Sequence, residues 1–275
     1  MNEIDWLKLA VTAGFAGAIA VLATIAIERF GGKLGGIIAT LPTTIIPASL
    51  GFWYLSQSHE AFTIALWSVP IGMLLDAVFL HSWRWLPRLI TGSSVRRRLF
   101  YIVCVSLSVW FVLALGVVLS VQLYLPYIKL IGGAAALAQL GYGLYASPPT
   151  KGERSTYQTA SITTLVLRGI MAGGAIAIAA LIIAFGHPIL AGVASVFPAI
   201  FLTIMVSVWL SQGPVAQGNA VGPMMLGSTS VSVYALVASW TLPQFGPALG
   251  VTVAWCVAVG CVSLPCAAFL KREKS

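Results

Sequence analysis

Apolar residues run along nearly the whole chain in blocks of about twenty, and the polar residues that interrupt them fall in short clusters. A run of this length crosses the hydrocarbon of a bilayer as one α-helix, where the backbone polar groups must be satisfied within the segment. Windows bounded by charge, Pro or Gly predict nine spans, at residues 6–28, 34–55, 61–83, 99–123, 127–147, 162–185, 188–210, 215–239 and 246–270. The fifth is the weakest, because 131–145 is rich in Gly and Ala and Lys129 stands at its start. The longer connections are 84–98 and 148–161.

Basic residues orient this stack. With nine spans, one side receives Arg29 and Lys33, then Arg84, Arg88, Arg96, Arg97 and Arg98, then Lys151 and Arg154, then Lys271, Arg272 and Lys274. These are twelve of the fifteen basic residues. Lys8 and Lys129 fall on the other side, and Arg168 lies inside the sixth run. Positive charge marks the cytoplasmic face, so the expected protein is integral to a bacterial inner membrane, N-terminus outside and C-terminus inside. Dropping the fifth span would split the basic residues almost evenly.

The two ends of the chain resemble each other. Leu7-Lys8 followed by Ala13-Gly14 matches Leu167-Arg168 followed by Gly173-Gly174. Gly36 and Pro42 match Gly192 and Pro198; Leu55-Ser56-Gln57 matches Leu210-Ser211-Gln212; Pro70 matches Pro223. The offset shrinks from 160 to 153 only across connections. Spans 1–4 then pair with spans 6–9, and five crossings separate equivalent helices, which inverts one half relative to the other. The expected fold is an all-α polytopic membrane protein with an inverted 4+1+4 repeat: 1–123 as the first four-helix repeat, 124–161 as linker helix and cytoplasmic loop, and 162–275 as the second repeat. Inverted repeats are a common plan of secondary transporters, with sites near the midplane at the repeat interface.

Residues 35–44, Gly-Gly-Ile-Ile-Ala-Thr-Leu-Pro-Thr-Thr, and 66–70, Leu-Trp-Ser-Val-Pro, carry a family resemblance. The stretch 35–85 resembles the GlpM-like bacterial inner-membrane proteins, which are about half this chain in size. The resemblance covers spans 1–4 and implies a duplication whose second copy departs from the motif, with Ser195-Val-Phe-Pro-Ala in place of Thr40-Leu-Pro-Thr-Thr. It implies an inner-membrane protein and no defined activity.

Composition supports the class. Of 275 residues 59% are hydrophobic and 8% charged, against about 25% charged in a soluble domain. The formal charge of +8 fits loops facing an anionic leaflet and points to no nucleic-acid partner. Cys104, Cys256, Cys261 and Cys266 lie in apolar runs without a CxxC pair, so they read as small apolar residues. Glu3 and Asp5 precede the first run, unlike the positive opening of a cleaved signal. His59, His81 and His187 stand at span ends, far apart in sequence, and no metal site is expected. Walker, dinucleotide-binding and HExxH motifs are absent, so no enzyme and no cofactor is expected.

Asp76 is the most informative candidate. It lies in the run Met-Leu-Leu-Asp-Ala-Val-Phe-Leu, six residues after Pro70, where a carboxylate at mid-bilayer costs about 2.5–3.5 kcal/mol. Two readings stand: a coupling group in a polar pathway, or an ion pair snorkelling toward Arg84 or Arg88. Span 2 adds Thr40, Pro42, Thr43, Thr44 and Pro47, and span 7 repeats the device with Ser195, Pro198 and Thr203. Span 8 carries Asn219, Pro223 and the run Ser228-Thr229-Ser230. Pro leaves a carbonyl one turn earlier without its donor, and such oxygens bind ions or solutes in discontinuous transporter helices. The plainer alternative is that Pro and Gly are frequent in membrane helices while Ser and Thr bond back to the backbone. Lys8 and Arg168 read as interface anchors or as an anion site. Trp6, Trp53, Trp83, Trp85, Trp209 and Trp240 read as an aromatic belt. The leading function is a small secondary transporter of a small solute or ion, with the site between spans 2, 3, 7 and 8. The alternatives are a membrane scaffold or assembly factor of an envelope system, and an intramembrane lipid-handling enzyme with the 84–98 loop at the headgroups.

Overall fold

The computed structural model describes residues 5–30, 41–90, 94–147 and 162–272. All regular structure among them is helical. In chain order the helices are α1 (Trp6–Phe30), α2 (Ile45–Leu55), α3 (His59–Leu89), α4 (Val95–Leu123), α5 (Ile128–Ala146), α6 (Ile162–Ala184), α7 (Pro188–Ala194), α8 (Ala199–Gly227), α9 (Thr229–Ala258) and α10 (Leu264–Arg272), with a π turn at Val259–Ser263 between the last two. Six helical stretches of the described residues are long and apolar enough to cross a membrane.

Proline and glycine punctuate these helices with one recurring device. Gly213 and Gly246 adopt φ of +85° and +75°, and each is followed by Pro at the next position. With ψ of 177° and 171°, both adopt a positive-φ extended conformation open essentially to glycine alone, which breaks the helix, and Pro opens the next, where its missing N–H has no partner to lose. The path of α8 and of α9 therefore reverses midway. Thr241 Oγ1 donates to Gly250 O across the second reversal at 2.8 Å, and Gln217 Nε2 reaches Met205 Sδ across the first at 3.3 Å.

α3 is the central helix. In its apolar window 78% of residues are buried, against 28% for α4 and 22% for the described window of α1, so α4 and α1 present most of their surface outward. Neighbours reach α3 through glycine. A side chain on Gly192 of α7 would overlap Ala65 O, and one on Gly132 of α5 would overlap Trp67 O. α1 and α6 meet in the same way: a Cβ on Gly173 would come within 2.8 Å of Ala13 O, and one on Gly17 within 2.9 Å of Gly169 O. Residue numbers fall along α6 as they rise along α1, so the two helices are antiparallel. In a bilayer small residues let backbones approach this closely, and dispersion then holds the pair.

Most of the predicted spans fall on helices of the described residues, with four physical differences. Span 2 is helical only over Ile45–Leu55, too short to cross alone; residues 41–44 are non-helical and 34–40 lie outside the described residues. Span 3 extends to His59–Leu89, carrying Arg84 and Arg88 on the helix. Span 7 is split, because α7 ends at Ala194 and α8 begins at Ala199. Span 8 is interrupted at Ser228, between α8 and α9. The belt reading of tryptophan holds in part: Trp6 and Trp240 are exposed, whereas Trp83 and Trp209 are buried, at 0% and 3%. Trp83 packs on Phe79 with ring centroids 6.2 Å apart, and Trp209 lies beneath the Arg98 guanidinium.

Candidate functional site

The split between α7 and α8 is built by its sequence. Pro198 has no N–H to continue a helix through Ser195–Phe197. Its own carbonyl accepts from Leu202 N at 2.8 Å, starting α8. Ser195 Oγ donates to Gly192 O at 2.8 Å, closing the last turn of α7. Both Ser195 and Pro198 are buried.

α3 runs beside this interruption. Gly192 lies on Ala65 and Ser68, and Gly72 lies on Val193 and Val196, so α3 and α7 run parallel. One turn beyond Gly72, on the same helical face, stands Asp76. Asp76 is 1% exposed. Its Oδ1 accepts a 2.7 Å hydrogen bond from Trp110 Nε1 of α4. The Trp110 ring sits edge-on to Phe197, inside the interruption, with centroids 5.4 Å apart. Phe111 closes the group at 5.7 Å from Phe197.

The ion-pair reading of Asp76 does not describe this arrangement. Arg84 Nε donates to Gly218 O at 3.0 Å, Arg88 is exposed, and among the described residues no cation pairs with Asp76. The carboxylate instead points along α3 toward α4 and the interruption, about two turns from Arg84.

The other predicted residues divide. Thr40 lies outside the described residues. Pro42 is buried and Thr43 and Thr44 are half-buried, in the non-helical stretch that opens α2. Asn219 and Pro223 are exposed on α8 and do not join Asp76, because that part of α8 turns them outward. Lys8 is exposed and pairs with Asp5 at 3.1 Å, whereas Arg168 is buried and donates to Thr203 Oγ1 at 3.1 Å. The two are therefore not equivalent anchors.

A second buried polar group lies at the interruption between α8 and α9. Gln139 of α5 is 0% exposed. Its Nε2 donates to Ser228 Oγ at 3.1 Å, and its Oε1 accepts from Ser232 Oγ at 2.5 Å. Ser228 Oγ in turn donates to Met225 O. Beside them Thr229 Oγ1 is buried without a hydrogen-bond partner among the described residues. A further pair, Ser49 Oγ and Tyr234 Oη, are 2.8 Å apart and join α2 to α9.

Trp110, Gln139 and Tyr234 carry no sequence motif. A polar atom within an apolar run needs a partner, but the sequence does not say which, so none of the three stood out. Among the described residues no three His, Cys, Asp or Glu side chains come together. A scan against family models and searches of curated proteins and of solved structures found no match to this chain.

Proposed function

We propose that the chain is a secondary transporter of a small solute or ion, built from two inverted four-helix repeats about a linker helix, with Asp76 as the group that takes up and releases the coupling ion. The observation that carries this reading is Asp76 itself. A carboxylate buried without a cation, held by one indole N–H beside a broken helix, is the arrangement expected of an intramembrane coupling site.

Several contacts support the inversion. α1 and α6, the first helices of the two repeats, are antiparallel. Gln57 Nε2 donates to Ala184 O at 2.8 Å, joining two connections that nine spans put outside. Arg84 and Gly218 join two that nine spans put inside. The non-helical stretch at Pro42 and the one at Pro198 fall at matched positions. At the offset that pairs Pro70 with Pro223, the counterpart of Asp76 is Thr229, so each repeat brings a buried oxygen to an interruption. The likeness of residues 35–85 to GlpM-like proteins belongs to the same reading, as a half-length unit duplicated. The closed packing around Asp76 corresponds to an occluded state of an alternating-access cycle.

The test is flux through purified protein in liposomes loaded with a pH-sensitive dye and challenged with a panel of small ions and solutes. The wild-type chain should couple at least one of them to a pH or ion gradient. Asp76→Asn keeps the side-chain volume and an acceptor for Trp110 but cannot exchange a proton, so it should fold and lose the coupling. Absence of any coupled flux from well-folded wild-type protein would favour the scaffold reading. Full coupling in the Asn variant would remove Asp76 from the mechanism.

A further inference from the structure

A second cluster of polar side chains lies at the end of the bundle where α3 finishes and α4 begins, remote from Asp76. Arg84 Nε donates to Gly218 O. Three residues along α3, Pro87 O accepts from Arg98 Nη2 of α4. The Arg98 guanidinium in turn covers the Trp209 ring of α8, 5.5 Å from its centroid. Four residues before Trp209, Met205 Sδ meets Gln217 Nε2, and Gln217 adjoins Gly218. The contacts thus close a ring from Arg84 round to Arg84 and bring the Arg98 guanidinium onto α3 at Pro87, one helical turn along the backbone from Arg84.

The ring is unbalanced in charge and in hydrogen bonding. No carboxylate of the described residues pairs with either arginine; their partners are neutral carbonyls and an indole face. Arg98 Nε is buried with no acceptor among the described residues. His81, stacked on Tyr142 at 5.3 Å, has its Nδ1 buried and unpartnered. Two helix starts open at the same end. Ser94 precedes α4 without capping it, and Pro214 restarts α8 after Gly213. Two cations held near each other in a partly desolvated place cost free energy that a shared anion offsets. Guanidinium forks match phosphate oxygens in pairs, and helix N-termini add donors of the same sign.

We infer that Arg84 and Arg98, with the start of α4 and the midway reversal of α8 at Gly213–Gly218, bind a phosphate group. The charge distribution of the loops sets this end at the cytoplasmic face, so the phosphate comes either from an anionic lipid headgroup of that leaflet or from a free phosphate in the cytoplasm. The inference concerns binding alone and stands whether or not the chain transports.

Thermal unfolding of the full chain in a neutral detergent tests it. One arm adds inorganic phosphate against chloride at equal ionic strength, and the other adds phosphatidylglycerol against a neutral, phosphate-free glycolipid with the same acyl chains. The phosphate-bearing partner should raise Tm in at least one arm. A rise with phosphatidylglycerol alone assigns the headgroup; a rise in both arms assigns a site open to solution. Arg84→Gln and Arg98→Gln should each weaken the apparent affinity about tenfold or more, the loss of one bidentate pair. Arg96→Gln, an exposed residue of the same basic stretch, should leave it within about twofold, a change near the noise of a few tenths of a kcal/mol. Where a Gln variant fails to fold, Arg84→Lys and Arg98→Lys keep the charge and remove the fork, and should show the same weakening. No Tm rise in either arm, or equal weakening by Arg96→Gln, would overturn the inference.

Discussion

Among the described residues the Trp110 indole N–H is the single donor set against Asp76, and its contribution separates cleanly from that of its ring. Trp110→Phe keeps an aromatic face against Phe197 and removes the hydrogen bond. An intramolecular hydrogen bond contributes about 0.5–1.5 kcal/mol, more where the acceptor is charged, and the lost ring volume adds a cavity term. The variant should therefore unfold at lower temperature than Asp76→Asn, in which Trp110 keeps an acceptor. Thermal unfolding of the two variants side by side checks the order. The reverse order would mean that the carboxylate charge, not the indole bond, holds α3 to α4. At this scale the sequence was informative about one partner only. Asp76 announces itself because a charge in an apolar run is costly, whereas Trp110 sits among Val, Phe and Leu and gains its role only when α4 packs beside α3. Arg84 was legible as a charge at the end of an apolar run, but its bond to Gly218 depends on the reversal at Gly213.

Among elements, glycine decides which helices can touch, and two neighbours in α5 show it. A Cβ at Gly132 would overlap Trp67 O, while one at Gly133 would find its nearest atom 3.9 Å away. Gly132→Ala should push α5 from α3 and destabilise by about 1–3 kcal/mol, the usual penalty of overpacking. Gly133→Ala meets ordinary van der Waals contact and gains helix propensity of up to about 1 kcal/mol. Thermal unfolding of the pair should move Tm in opposite directions, and a common loss would show that α5 packs elsewhere. Composition made this helix look weak, because its Gly and Ala lower the hydropathy; the same residues are what let it lie against α3 and α8. The interruption at Pro198 was legible from Pro and its match to Pro42. That at Ser228 was not, because no proline marks it. It forms where Ser228 bonds back to Met225 O, a local habit of serine in helices, and where Gln139 of another helix holds the serine in place.

At the scale of the molecule, everything about inversion turns on the relative direction of α1 and α6, which the apolar pattern alone does not determine. Charge bias and the repeated anchors imply opposite directions, and the contacts at Ala13–Gly173 and Gly17–Gly169 place the helices in an antiparallel register. Extending that register pairs Leu9 with Ala177 and keeps Gly17 with Gly169. A parallel register would instead bring together residues whose numbers rise in step, such as Leu9 with Gly169 and Gly17 with Ala177. Eight residues of helix separate the alternatives by about 12 Å, well beyond the ~7 Å that a disulfide spans between Cα atoms. In a background with Cys104, Cys256, Cys261 and Cys266 replaced, the pairs Leu9→Cys with Ala177→Cys and Gly17→Cys with Gly169→Cys should therefore cross-link on mild oxidation. The crossed pairs should not. A protease site inserted in 148–161 makes the result readable, since cross-linked halves stay together until reduced. The glycine pair has the tighter geometry and will strain the helices, so the Leu9–Ala177 pair carries the main weight. Efficient linkage of the crossed pairs alone would reverse α6, and with it the proposed inversion of the second half and the alternating access proposed from it would fall.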